Sequence, residues 1–412
     1  MKPIKTQIHT FFMLCSFFFV LNGNAQELQT FILEALTNNP EIKKFELQYR
    51  IASEKVNEVN TLPNTEFGLG YFASEPETRT GAQRFKLSVK QMMPWFGNIA
   101  ARENYVSSLA ATKYEDITIA KRKLMASVSQ LYYNLQANIE KQAILYQHIN
   151  LLNTYEKLAL TSVAVGKASV VSVLRLQMRQ NELEQLKQVL TQQYLAKQST
   201  LNNFLNRDNA VVVSILDTLR LPLRDVKINS KKLVLHPELL KYDKRYQSVA
   251  QSEILNQKER NPMIGFGFDY VNVGKRPNMS FSDNGKDIAM PMISVSIPIF
   301  NNKYSSQTKQ NDLEQQEIVA QKQARLNALK TLLETAINKR VSARIRFETQ
   351  AKNIKQAESA ADILMKSYET GSIDFKDVLD IQELQLKFEM QQTEAAENYY
   401  LQTTIINYLT QQ

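Results

Sequence analysis

The sequence predicts a mainly α-helical chain with a small β part, built as an internal tandem repeat. Three observations predict it. Glycine and proline number only 11 each in 412 residues. Apart from Gly23 and Pro3 they punctuate short segments and leave two long stretches free of both, Asn98 to Val165 and Ile299 to Thr370. Four short segments alternate apolar and polar residues with the period of a strand. The punctuation also recurs: Gly371 lies 205 residues after Gly166, and His236-Pro237-Glu238 lies 197 residues after Asn39-Pro40-Glu41.

Composition suits a folded chain, with 43% hydrophobic and 22% charged residues. The formal charge of +9 is spread along helical stretches among Glu and Asp. No basic cluster is interleaved with aromatics, so the charge reads as a solvated face and not as a nucleic-acid site. Residues 1–25 read as a secretory signal: Lys2 and Lys5 form its positive end, Phe11 to Leu21 its apolar core, and Asn22-Gly23-Asn24-Ala25 a cleavage site before Gln26. That core is too short for an ordinary membrane span. The only cysteine, Cys15, falls inside it. Lipid attachment would need small residues before Cys15, and the mature chain is left without disulfides or thiolate metal sites.

Taken in order, the first repeat opens with a helix over Leu28 to Asn60, interrupted at Asn39-Pro40-Glu41, where Pro40 suits a first helical position. Its twin runs from His236 to Arg260. A proline follows each, Pro63 or Pro262, and then a strand. Phe67, Leu69 and Tyr71 project to one side of the first, as do Ile264, Phe266, Phe268 and Tyr270 in the second. Polar loops lead into partner strands, Phe85 to Lys90 and Met292 to Ile297, that alternate likewise. Such hairpins fit a lipid-facing barrel around a wet lumen. The alternative they leave open is one face of a soluble sandwich. Aromatics at the strand ends, Phe72, Trp95, Phe96 and Phe300, suit an interfacial girdle. Pro291 is expected at a bulge or rim.

Both strand pairs close in matching turns, Pro94-Trp95-Phe96-Gly97 and Pro298-Ile299-Phe300, and the long helices follow. A helix of some 65 residues would reach about 100 Å. Narrow apolar seams are expected along Ile117, Leu124, Val128, Leu131, Leu135 and Ile139, along Leu329, Leu333, Ile337, Val341 and Ile345, and along Ile381, Leu384 and Phe388. Seams flanked by Gln, Lys and Glu resemble coiled coils, so these helices belong in water. Four strands per chain cannot close a membrane barrel, because open edges in lipid leave backbone groups unsatisfied. The barrel must be shared. Two chains would give eight strands and a filled interior; three would give twelve and a passage.

On these residues the chain resembles the outer-membrane efflux proteins of the TolC-like outer membrane factor family. The motifs are the two Pro-aromatic turns and the tip patterns Gly166, Val173-Leu174, Gln177 and Tyr368, Gly371, Val378-Leu379-Asp380-Ile381-Gln382. They cover essentially the whole mature chain. The domain plan is a signal peptide over 1–25, repeat 1 over 26–206, a linker over 207–235 and repeat 2 over 236–412. Strand hairpins occupy 64–93 and 262–298, and helical hairpins 98–206 and 301–412. The resemblance implies a homotrimer whose twelve-stranded transmembrane barrel in the outer membrane continues as an α-helical barrel in the periplasm. It also implies docking to a periplasmic adaptor of the membrane fusion type and to an inner-membrane pump of the RND or ABC type. The linker is expected to gird the tube's waist, with no long tail after Gln412 to thicken it.

The same resemblance maps the adaptor-docking tips to Val165, Gly166 and Lys167, and to Thr370, Gly371 and Ser372. Some relatives narrow the periplasmic mouth with acids near the second tip, which points to Asp374, Asp377 and Asp380 as a gate. A trimer would gather these carboxylates into a ring favouring cations. The plainer reading has the glycines only terminate helices and the aspartates only complement a helix N-terminus. The first tip carries Lys167 and Arg175 instead, so a gate would be asymmetric between repeats.

Enzymatic readings find no support. His148 is expected on a helix surface and His236 in a turn; no phosphate loop, metal spacing or cofactor motif appears. Met290 and Met292 alternate in a strand and read as packing in preference to a metal relay. The function the resemblance implies is the exit duct of a tripartite efflux system for small toxic solutes or metal ions. An exit duct for type I secretion of a polypeptide is the near alternative. A non-conducting periplasmic coiled-coil protein is the distant one, since a spacer needs no duplicated strand hairpins.

Overall fold

The computed structural model describes residues 23–166, 169–215, 218–370 and 372–410. Most of the expected leader, residues 1–22, lies outside the described residues, and so do Lys167 and Gly371. The chain forms two compact units. The first comprises Met1–Lys43, Ile119–His236 and Leu326–Gln412; the second comprises Lys44–Thr118 and Pro237–Arg325.

The elements follow in the order α1 (Gly23–Asn38), α2 (Pro40–Val59), β1 (Glu66–Tyr71), β2 (Glu77–Thr78), β3 (Gly81–Met93), α3 (Asn98–Ala164), α4 (Val170–Leu205), a 3-10 turn (Ser230–Leu235), α5 (Pro237–Glu259), β4 (Met263–Gly274), β5 (Ile288–Ser296), α6 (Lys303–Glu369) and α7 (Phe375–Thr410). Asn39 separates α1 from α2: its Oδ1 accepts the Glu41 N–H at 2.9 Å, and Pro40 occupies the first position of α2, where a missing N–H costs nothing.

In the second unit the long strands form one antiparallel sheet in the order β1-β3-β4-β5. The short β2 pairs with β3 off this path, a fifth strand beyond the four expected. Phe67 pairs with Val89, Leu69 with Leu87 and Tyr71 with Phe85; Leu87 and Val89 in turn pair with Tyr270 and Phe268. The apolar residues of both repeats therefore share one face. Pro291 lies inside β5 in continuous register with Phe268, not at a bulge or rim. The position is tolerable because β5 ends the strand order, and an edge strand can turn its missing donor outward.

The regular elements described in the first unit are all helices, joined by the linker. Ile32 and Ala35 of α1 pack with Leu124, Val128, Leu131 and Leu135 of α3, Leu201 and Leu205 of α4, and Val213 and Ile215 of the linker. The linker is further clasped by α6 and α7. Arg344 Nη2 donates to Asp225 Oδ1 at 2.6 Å and to the Pro222 carbonyl at 2.9 Å, and the Tyr399 hydroxyl donates to the same carboxylate at 2.5 Å.

Three expectations about the helices need correction. On α6, Leu329 and Leu333 are buried, but Val341 is 46% and Ile345 59% exposed. Steps of four advance 400° around a helix, drifting about 40° per step from a 3.6-residue period. The buried line instead runs through Leu329, Leu333, Ala336, Arg340 and Ala343, alternating steps of four and three. On α7 Leu384 is exposed and the buried line is Phe375, Val378, Gln382 and Leu386. His148 is no surface residue: it is 6% exposed, and its Nε2 lies 2.8 Å from Glu389 Oε2. His236 does sit in a turn, yet it is buried against the Tyr408 ring at 5.0 Å.

Candidate functional site

The two hairpin tips, 205 residues apart in sequence, belong to one core. Leu152, Tyr155 and Ala159 of α3 and Val173, Leu176 and Leu183 of α4 cluster with Phe375, Val378 and Leu386 of α7. Tyr155 meets Phe375 edge to face at 5.7 Å, and Tyr368 meets the same ring from α6 at 4.9 Å.

At the first tip α3 ends at Ala164, and Gly166 takes φ 70°. Its N–H donates to the Val163 carbonyl at 3.0 Å. Glycine serves there because the left-handed region carries no Cβ penalty for it. Ser169 then caps α4, its Oγ accepting the Val171 N–H at 3.1 Å. Gln177, part of the tip motif, ties the hairpin together with Gln180: both donate to Glu156 of α3, at 2.8 and 3.0 Å. These two hydrogen bonds hold the Glu156 carboxyl below its ordinary pKa.

At the second tip α6 ends at Glu369, and the Ser372 N–H donates to the Ser367 carbonyl at 2.9 Å. Asp374 caps α7, its Oδ1 accepting the Lys376 N–H at 2.7 Å. Asp377 and Asp380 lie within α7, and all three aspartates are exposed. They do not share one environment. Asp380 lines a cleft between α4 and α7 with Arg175, Met178, Arg179, Lys376 and Glu383. Arg179 bridges the helices there, 2.8 Å from Glu182 and 3.9 Å from Glu383.

Of the expected docking residues, Val165, Gly166, Thr370 and Ser372 are all exposed. The tips differ in chemistry. The first presents Val165, Val170, Val171, Leu174 and Met178 to solvent, whereas the second presents Ser372, Asp374, Asp377 and Asp380. Arg179 and Glu383 were not legible beforehand, because neither interrupts a periodic pattern and they meet only in three dimensions.

The sheet of the second unit carries its exposure the unusual way round. Phe67, Leu69 and Tyr71 are 77–78% exposed, and Phe266, Phe268, Ile293 and Val295 also face solvent on the apolar side. The opposite face shelters Asp269, which is 1% exposed and ion-paired with Lys86. Among the described residues β1 and β5 each pair with one neighbour only, apart from the short β2 on β3. No described helix is long and apolar enough to cross a membrane.

No family model matches the chain, and no curated protein matches it in sequence. Solved structures match its fold closely. The membrane channel CusC superposes with a TM-score of 0.77 at 13% identity, over 96% of this chain and 95% of that one. A membrane protein from Pseudomonas aeruginosa gives 0.76 at 15% identity, over 93% and 92%. The MtrE outer membrane channel of Neisseria gonorrhoeae, in its open state, gives 0.75 at 13% identity, over 93% and 88%. The chain thus has the fold of the TolC-like outer-membrane channels, as its motifs imply.

Proposed function

We propose that three copies of this chain assemble in the outer membrane and form the exit duct of a tripartite efflux system. The observation that carries the reading is the exposed apolar face of the sheet. A soluble sandwich would bury Phe67, Leu69 and Tyr71 against a second layer, and burying each such side chain stabilises by about 1.5–3 kcal/mol. Left bare on the outside of a sheet whose edges are free, they fit lipid. Four path strands from each of three copies make a twelve-stranded barrel, which also satisfies both edges.

The remaining parts fall into place on that reading. The helices of the first unit form the periplasmic barrel, and the tips at Val165, Gly166 and Lys167 and at Thr370, Gly371 and Ser372 dock a periplasmic adaptor coupled to an inner-membrane pump. Asp377 and Asp380 remain candidates for a cation-favouring gate, with Asp374 also capping α7. Small toxic solutes or metal ions are the cargo, and the reading assigns no catalytic chemistry.

Growth of a deletion strain against its complemented parent tests this, across metals, dyes, detergents and antibiotics, with the secreted proteome recorded alongside. Sensitivity to one chemical class is the expected result. Loss of a secreted protein without any sensitivity would replace the efflux reading by the polypeptide duct. Sensitivity and secretion both unaltered would count against a conduit.

A further inference from the structure

The linker between the repeats turns its positive charge outward. From Arg220 to Lys232 it holds five cations, Arg220, Arg224, Lys227, Lys231 and Lys232, against one acid, Asp225. All five cations are exposed. Asp225 points the other way, into the clasp with Arg344 and Tyr399, so its charge is already matched within the fold. Among the described residues no carboxylate pairs with Arg220, Arg224, Lys231 or Lys232.

Other groups hold the segment in place. Leu219 and Leu233 immediately flank the charged run and are 5% and 2% exposed, and Leu219 packs with Ala137 and Ala396. The Tyr400 hydroxyl donates to the Arg220 carbonyl, and Asn229 Oδ1 accepts the Lys231 N–H at 3.2 Å where the 3-10 turn begins. None of these anchors uses a cationic side chain. A segment that only bridged two repeats would need no cations, and crowding like charges destabilises a compact state. The run is thus a positive strap fixed along its backbone, at most about 40 Å long.

A fixed row of cations favours a partner with repeating anions, because complementary potentials steer and select it. Arg220 and Arg224 present planar forks whose geometry matches carboxylates. Leu223 and Val226, 101% and 69% exposed, put apolar ground between the charges. The peptide stems of a bacterial cell wall offer both features, free carboxylates and alanine methyl groups, repeated along the polymer. We infer that this strap binds the peptide stems of peptidoglycan, with Arg220, Arg224, Lys231 and Lys232 on their carboxylates. This rests on the channel reading, which puts the first unit in the periplasm. There α3 and α6, of 67 residues each, are about 100 Å long. A duct of that reach passes through the wall, and the strap holds it there.

The test is sedimentation of the detergent-purified protein with protein-free sacculi at low salt. Three proteins are compared: wild type, the strap variant Arg220→Gln/Arg224→Gln/Lys231→Gln/Lys232→Gln, and the control Lys330→Gln/Lys339→Gln/Lys352→Gln/Lys355→Gln. The control removes the same charge from exposed positions of α6. Wild type and control should sediment with the sacculi, and the strap variant should stay in the supernatant. Salt at about 1 M, where the Debye length is about 3 Å, should release the bound protein. Sacculi whose carboxylates have been converted to amides should capture none of the three. No capture of wild type, capture of the strap variant, equal capture by amidated sacculi, or loss of the control along with the strap variant each overturns the inference. The amidated sacculi test wild type alone, so the outcome stands even where the strap variant fails to fold. Membrane fractionation is separate: recovery of the protein away from the outer membrane would overturn the channel reading, whatever the sacculi capture.

Discussion

Phe375, the first residue of α7, inserts its ring between Tyr155 of the first hairpin and Tyr368 of the second, at 5.7 and 4.9 Å. One buried side chain thereby joins two tips that arose as copies. Phe375→Ala should destabilise the first unit by about 3–5 kcal/mol, the cost of a large aromatic lost from a packed core. Denaturant unfolding of the purified protein measures it, and Phe375→Leu should lose much less.

Gly166 separates conformational cost from crowding. A Cβ there would meet nothing within 4 Å, yet φ is 70°. Gly166→Ala should therefore cost about 1–2 kcal/mol through backbone strain alone. Gly166→Asn should cost less, since asparagine tolerates the left-handed region. Thermal unfolding of the two variants distinguishes strain from a steric clash, which would penalise Asn more than Ala.

The linker clasp predicts a pH dependence. Burial by itself would raise the Asp225 pKa, but hydrogen bonds from Arg344 and Tyr399 and the Arg344 charge together hold it below the ordinary range. A carboxyl depressed on folding contributes stability that is present above its unfolded value, about 3.9, and lost as pH falls through the lower folded value. Asp225→Asn should thus lower the melting temperature at neutral pH, and the gap from wild type should close below pH 4. A gap unchanged down to pH 2 would contradict the clasp.

His148 and Glu389 offer a sharper test of burial. The imidazole is nearly inaccessible, and Gln385 Nε2 also donates to Glu389, at 2.9 Å. His148→Leu leaves that carboxylate short of a partner and should cost about 1–3 kcal/mol. His148→Gln, which keeps a donor, should recover part of it in the same melting experiment.

What the sequence discloses and what it hides follow one physical line. Local signals were legible: strand alternation through Phe67, Leu69 and Tyr71, the turn at Gly166, and the break at Asn39-Pro40. Each depends on neighbours a few residues away. His148 was not legible, because Gln147 and Asn150 beside it are exposed and its partner lies 241 residues downstream. The drift of Val341 and Ile345 off the buried line shows a second limit, since four-residue spacing looks helical yet leaves the core face within a few turns. The cap of α7 was legible to within two residues: either Ser372 or Asp374 suits an N-cap on sequence grounds, and Asp374 fills it.

A shared barrel requires the two outer strands of the sheet, β1 and β5, to meet between chains. Leu69→Cys on β1 and Ile293→Cys on β5, at sites 77% and 75% exposed, can be joined in outer-membrane fractions with a short bis-maleimide. The account predicts a ladder ending at a covalent trimer in the double variant and no ladder in either single variant. Recovery of the double variant as an uncrosslinked, water-soluble monomer would contradict it.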